Sequence, residues 1–329
     1  MKKKLLFYSL LLFIIFCLFF SILGWRLLRS RSSGEVFDIP EQIFFSPTPT
    51  HPPKDFVLTV VGDVMLARSV TTKMRERDDF AYPFLKTASL LSKADFTLIN
   101  LEAPLGTDCP NSNEGLVFCA DYRALEGLIK AGVDLVSLAN NHTLDQGEEG
   151  LLETTRLLEE NSINIIGLRE PYYLEARGLK LVFLAYNAIV PQNNFVSWAY
   201  PDVIESEIKR FSRDSDSLIV YFHWGKEYSP KPQKGGATSF DPRELAHLAI
   251  DSGADLVLGA HPHVVQETEM YREKLIVYSL GNFVFDQEWS QETQKGAIGN
   301  FIFDLSGLTS WEIVPVEIKN YQPEIVPQP

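Results

Sequence analysis

Cysteine is scarce in this chain: three among 329 residues, Cys17, Cys109 and Cys119, none beside a histidine. Thiolate metal chemistry therefore has no foundation here. Basic charge is short as well, with 30 Lys and Arg against 43 Asp and Glu and a formal net charge of -13, which argues against electrostatic binding of nucleic acid. A phosphate or polyanionic ligand would need a bound cation or a local basic patch. There is no internal repeat and no long low-complexity tract, so neither a solenoid nor a disordered chain is expected. A serine hydrolase is also disfavoured, because Ser137 and Ser279 lie in predicted strands without a nucleophile elbow. What is plentiful is apolar residues, 45% of the chain, enough for one large α/β domain or two small ones.

The N-terminus holds the one long hydrophobic run. Lys2, Lys3 and Lys4 precede an almost wholly apolar stretch from Leu5 to Trp25, the roughly 20 residues a spanning helix needs. No small-x-small cleavage site closes it, so an uncleaved anchor over residues 1–28 is expected rather than a removed signal peptide. Cys17 follows Phe16, without the small residue of a lipoprotein site, and reads as a plain apolar thiol. Arg26, Arg29 and Arg31 on the far side nearly balance the three lysines, so charge alone does not orient the span. Cys109 and Cys119, close together in a loop rich in Asn, Ser and Pro, suit a disulfide and hence an oxidising compartment. The expectation is a single-pass cell-membrane protein with its folded part on the extracytoplasmic side.

Residues 29–54, rich in Ser, Pro and Thr, read as a linker in which His51 is a solvated residue. The folded domain is expected over 55–320, with 321–329 a C-terminal tail. Apolar strands are predicted at Val57–Val61, Phe96–Leu101, Asp134–Ala139, Leu179–Tyr186, Ser217–Phe222, Ala254–Leu258 and Leu275–Leu280. Helical patterns fall at Ser69–Arg77, Tyr82–Ser92, Tyr122–Ala131, Gly147–Asn161, Val203–Phe211 and Arg243–Asp251, the last opened by Asp241-Pro242. Asn300–Leu305 and Trp311–Ile318 read as an antiparallel closing pair. Strands alternating with helices give an α/β domain with an all-β edge near the C-terminus.

Asp63, Glu102, Asn141 with His142, His223, and His261 with His263 each follow an apolar strand directly. Ligands of α/β sheets bind at the carboxyl ends of strands, so these distant residues can converge on one crevice. Carboxylates, an amide oxygen and neutral imidazoles suit Zn, Mn or Fe, and two such ions about 4 Å apart can activate water and clamp a phosphoryl group. Asp145 and Asn282 are expected to orient the histidines. His247 sits in an amphipathic helix with Leu245, Leu248 and Ala249 and is assigned to packing or solvent.

Val61-Gly62-Asp63, Asn100-Leu101-Glu102, Asn140-Asn141-His142 with Asp145 and Gly147, His223-Trp224-Gly225 with Glu227-Tyr228, Gly253 through His263, and Ser279-Leu280-Gly281-Asn282-Phe283 together resemble the CapA family of poly-gamma-glutamate capsule biosynthesis proteins. The likeness covers roughly Phe56 to Phe303. That family is similar to the calcineurin-like metallophosphoesterases, which implies a four-layer α/β/β/α sandwich holding one or two divalent ions. The resemblance implies Asp63 as a ligand of the first ion, Glu102 as the bridging carboxylate, Asn141 as the amide ligand and His142 as the catalytic contact to the scissile phosphate. It implies His223 and His261 at the second ion, His263 at the first, and Asn140, Asp145 and Asn282 around them. Two departures stand out. Met65 occupies the place where those phosphoesterases carry a histidine, leaving the first site one ligand short, so His263 should matter less than His261 if that site is empty. Lys231–Phe240 is longer and less regular than the corresponding family loop. The implied partners are the membrane, an anionic polymer or phosphoester substrate and proteins of a capsule synthesis complex, with either metal-dependent hydrolysis or a non-catalytic accessory role.

Overall fold

The computed structural model describes residues 55–110, 115–190, 192–236 and 240–327. The expected anchor and linker lie outside them, and among the described residues no helix is long and apolar enough to cross a membrane. Two sheets organise the chain. The first runs Gln322–Ile325, Gly307–Lys319, Lys295–Asp304, Phe56–Val64, Phe96–Leu101, Leu135–Ser137, Asn164–Ile166, with Asn282–Val284 paired to Phe56–Val64 off this path. The second runs Thr268–Tyr271, Lys274–Val277, Leu256–Ala260, Ser217–His223, Leu179–Asn187, Tyr172–Ala176. In each sheet the central strands are parallel, and antiparallel strands are confined to the flanks.

This arrangement follows from the apolar runs. Phe56–Val64 and Ser217–His223 are buried almost throughout, as parallel strands covered on both faces must be. Residues of one parity, such as Leu58, Val60, Ile219, Tyr221 and Leu258, form a core shared by the two sheets. The opposite parity of the first sheet packs against Val70, Met74, Leu128, Leu151 and Leu158 from its helices. That of the second packs against Ile204, Ile208, Leu245 and Ala249.

The expected helix over Tyr82–Ser92 is instead a 3-10 turn, Tyr82–Phe84, followed by the short helix Ala88–Leu91. Thr87 breaks it: its backbone sits at φ -120, outside the helical region. The strand expected over Leu275–Leu280 ends at Val277, because Leu280 turns to bridge Val265. Gln322–Ile325, assigned to the tail, pairs with Val316–Lys319, so the ordered sheet runs past residue 320. The helix beginning at Pro242 is capped as its sequence suggests, with Asp241 Oδ1 accepting the Arg243 amide at 2.9 Å. Cys109 and Cys119 are joined in a disulfide with their Cα atoms 5.3 Å apart.

Candidate metal centre

The carboxyl ends of the parallel strands in both sheets bring the sequence-derived residues into one crevice. Asp63 and Glu102 are fully buried, and Asn100 holds them together: its Nδ2 donates to Asp63 Oδ1 and to Glu102 Oε1, each at 2.9 Å. From the second sheet, fully buried His223 comes within 3.2 Å of that same Nδ2 through Nδ1, and its Nε2 lies 2.8 Å from Asn141 Oδ1. Ligand atoms of Asp63, Glu102 and His223 all lie within 4.8 Å of one another.

His261 and His263 enter by an unusual backbone. The strand ends at Ala260, and the two histidines flanking Pro262 have φ of +92 and +58. Positive φ is costly for residues with a side chain and clusters at functional sites. Here it turns both imidazoles toward the carboxylates. His263 Nδ1 lies 3.1 Å from Asp63 Oδ2 and 3.0 Å from Asn282 Oδ1, while the His261 amide donates to Asp63 Oδ2 at 3.2 Å. Asn282 Nδ2 is spent on Gln287 and on the Thr293 carbonyl, which fixes the oxygen toward His263.

His142 stands at the edge of this group. Its Nδ1 lies 2.8 Å from Asp145 Oδ2, which also accepts the Phe118 amide, and its ring stacks on Phe118 with centroids 4.1 Å apart. Its backbone amide donates to Asn140 Oδ1, and Asn140 Nδ2 donates to the Leu101 carbonyl at 2.8 Å, tying this loop to the Glu102 strand. His247 lies elsewhere, bonded to Glu269 at 2.8 Å and stacked on Tyr271, as its helical position suggests. Met65 is fully buried in the outer core of the first sheet, and its sulfur accepts the Ala67 amide at 3.1 Å. That methionine is a packing residue.

Four contributors escaped the sequence reading as site residues. Asn100 was legible in principle, being a polar residue on the same strand face as Glu102, two positions before it. Glu227, whose carboxylate lies 4.0 Å from His261 Nε2, could be suspected from its place four residues after His223. Tyr221 lies beneath the site with its hydroxyl buried and unpartnered, and Phe118 comes from the cysteine loop. No local pattern marks either as a site residue.

The donor set fits divalent cations. Glu102 Oε2 and His261 Nδ1 are buried without a hydrogen-bond partner. Orphaned polar atoms of this kind are costly unless something else satisfies them. Burial and the neighbouring Asp63 charge push the Glu102 carboxyl well above the usual range. Burial also opposes ionisation of Asp63, but its bond and charge interaction with His263 outweigh this and hold it low. Burial, reinforced by the surrounding imidazoles, pushes His223 well down and His261 to about 3. A divalent ion would replace the proton on Glu102 and use the lone pairs of two imidazoles already held neutral.

The metal-free protein should therefore lose stability in mild acid. The unfolded chain protonates both histidines below about pH 6.5 and the folded protein does not, so their contribution is complete above that pH and declines below it. Glu102 acts in the opposite sense, because the folded state keeps a proton that the unfolded state loses above about pH 4.3. Two histidines gaining protons in the unfolded chain outweigh the one proton retained by the folded state, so stability falls between roughly pH 6 and 5. Urea midpoints of chelator-treated protein measure this, and a midpoint that stays level or rises toward pH 5 would contradict neutral buried imidazoles.

Among solved structures, a phosphatase from Mycoplasma pneumoniae superposes with a TM-score of 0.51 at 15% identity, covering 80% of this chain and 94% of that one. That likeness concerns the fold alone. Among characterised sequences, the capsule biosynthesis protein CapA of Bacillus anthracis is 30% identical over 293 residues, 82% of this chain and 69% of that protein. The PGA biosynthesis protein CapA of Bacillus subtilis is 25% identical over 280 residues, 80% of this chain and 72% of its own length. Residues 57–287 match the family described as bacterial capsule synthesis protein PGA_cap, a span that runs from the first strand through every residue of the crevice, and the chain belongs to that family.

Proposed function

We propose that this protein is a membrane-anchored, extracytoplasmic component of poly-gamma-glutamate capsule synthesis or export, with a metallophosphoesterase-type four-layer fold and a metal-dependent hydrolytic site acting on a phosphoester or a polyglutamate-type polymer. The observation that carries the hydrolytic reading is the convergence of Asp63, Glu102, His223, His261 and His263, two of them with buried unpartnered ligand atoms. The names of the relatives support the capsule role. The apolar N-terminal run and the Cys109–Cys119 disulfide support the extracytoplasmic placement.

One or two divalent ions held by Asp63, Glu102, Asn141, His223, His261 and His263 would supply Lewis-acid polarisation and an activated water. The chain's own residues do the rest. Asn100 holds the two carboxylates at a fixed separation, and Asn282 orients His263. Asp145 opposite Nδ1 requires the ring hydrogen there, so Nε2 of His142 is the atom that can take or give a proton at a substrate oxygen. Phe118 locks that ring in place.

A second reading is a non-catalytic accessory protein in which the site binds carboxylates of the polymer without turnover. Met65, buried in the core where a ligand is expected, favours it. Metal content together with hydrolysis separates the two. The wild type should retain a transition metal through dialysis and cleave at least one substrate in a panel of phosphodiesters and polyglutamate, while His142→Ala retains the metal and loses about 100-fold or more in turnover. A protein that holds metal but leaves the whole panel intact supports the accessory role, and one that holds no metal sinks the hydrolase reading.

A further inference from the structure

We propose that Glu227 is a metal ligand of this site, so that Glu227, His261 and His263 hold one divalent ion beside the group of Asp63, Glu102 and His223. This assignment rests on the metal-holding reading above and adds a ligand to it.

Ligand atoms of Glu227, His261 and His263 lie within 4.8 Å of one another. Glu227 Oε1 and His261 Nε2 are 4.0 Å apart, too far for a hydrogen bond and within the span of about 4.0–4.4 Å that two ligands at bond lengths of roughly 2.0–2.2 Å can reach across one ion. The position of Glu227 is built into the fold. After the strand that ends at His223, Gly225 at φ +83 and Tyr228 at φ +58 turn the chain back across the crevice. A residue with a Cβ would be strained at the first of these turns. The Tyr228 amide then donates to the Pro262 carbonyl at 2.8 Å, and the Trp224 amide to the Ala260 carbonyl at 3.1 Å. Two main-chain bonds thus clamp the Glu227 segment to the segment that carries both histidines.

Burial points the same way: His261 is 3% exposed, and its Nε2, the nitrogen on the Glu227 side, stands 4.0 Å from that carboxylate. Glu227 also lines an open pocket of about 300 Å³ with His261, Lys226 and Tyr228, and its side chain is 47% exposed, so the carboxylate is reachable by an ion from solvent. No lysine or arginine among the described residues forms an ion pair with it. A surface glutamate with no structural duty would not need a doubly clamped loop.

The test is metal binding by the full-length protein with Mn²⁺ or Zn²⁺ alone, read as ions per chain after dialysis and as affinity in chelator competition. The wild type is expected to hold two ions and Glu227→Gln one, with the second weakened about 100-fold or more, since even partners outside the ligand set cost 10- to 100-fold. Glu227→His, which restores a ligand of another type, should recover the second ion. His247→Ala, remote from the crevice, should match the wild type. Co²⁺-loaded protein gives a readout independent of turnover, because losing one ligand shifts the visible absorption bands. If Glu227→Gln binds the same number of ions as the wild type within about threefold in affinity, the Glu227 assignment is overturned and the metal-holding reading survives. If the wild type binds no ion, both fall.

Discussion

Glu102→Gln is expected to weaken divalent-metal binding by more than about 100-fold while making the metal-free protein more stable. The two effects have one cause. Glu102 is fully buried, one of its oxygens has no partner, and burial together with the Asp63 charge holds its carboxyl well above the usual range. At pH 7 an unfolded glutamate is ionised, so folding without metal must take up a proton, at ~1.4 kcal/mol for each pH unit above its ordinary value near 4.3. Glutamine preserves the shape, accepts the Asn100 bond and removes that cost. It also removes the anionic oxygen that a cation would require. Chelator competition measures the first effect, and thermal or urea unfolding in EDTA the second. A variant that binds metal like the wild type, or that unfolds more readily without it, would rule out a protonated, ligand-donating Glu102.

Gly62→Ala is expected to cost at least about 3 kcal/mol and to remove metal binding with it. A Cβ at Gly62 would lie 1.9 Å from the Gly281 carbonyl oxygen, a backbone atom that cannot rotate away. That oxygen accepts the Asp63 amide at 2.9 Å, and Asp63 stands opposite Asn282 in the parallel pairing. Relieving the clash must separate Phe56–Val64 from Asn282–Val284, which carry two residues around His263. Overpacking ordinarily costs about 1–3 kcal/mol, and a rigid neighbour places this case at or beyond the upper end. Urea denaturation and metal content measure the two consequences, and a folded variant of wild-type stability would show that the two strands do not approach this closely in solution.

The long, fully buried strands were legible because burial on both faces demands an unbroken apolar run, as in Val57–Val61 and Ser217–Phe222. Asn164–Ile166, Tyr172–Ala176, Thr268–Tyr271 and Asn282–Val284 were not. Three residues carry no period, and the half-exposed edge strands Tyr172–Ala176 and Thr268–Tyr271 lack the apolar excess. The Tyr82–Ser92 segment has helical composition, yet backbone conformation at Thr87 decided against a continuous helix. His247 was assigned to packing or solvent because a helix face fixes where a side chain points, and it lies half-exposed against Glu269 and Tyr271.

For the crevice, the sequence by itself determined which residue types end which strands: Asp63, Glu102, His223 and His261 follow buried runs, and a parallel sheet delivers such residues to one edge. Tertiary structure alone decided how they meet. The convergence of His261 and His263 depends on two left-handed backbone conformations around Pro262, not on strand alternation. Asn100 became the brace between two carboxylates only through pairing in the sheet. Glu227 reached the histidines only through a turn and a main-chain bond to Pro262. The physical reason is that strand identity is written in local hydrophobicity, whereas ligand geometry depends on backbone dihedrals and on hydrogen bonds between segments far apart in the chain.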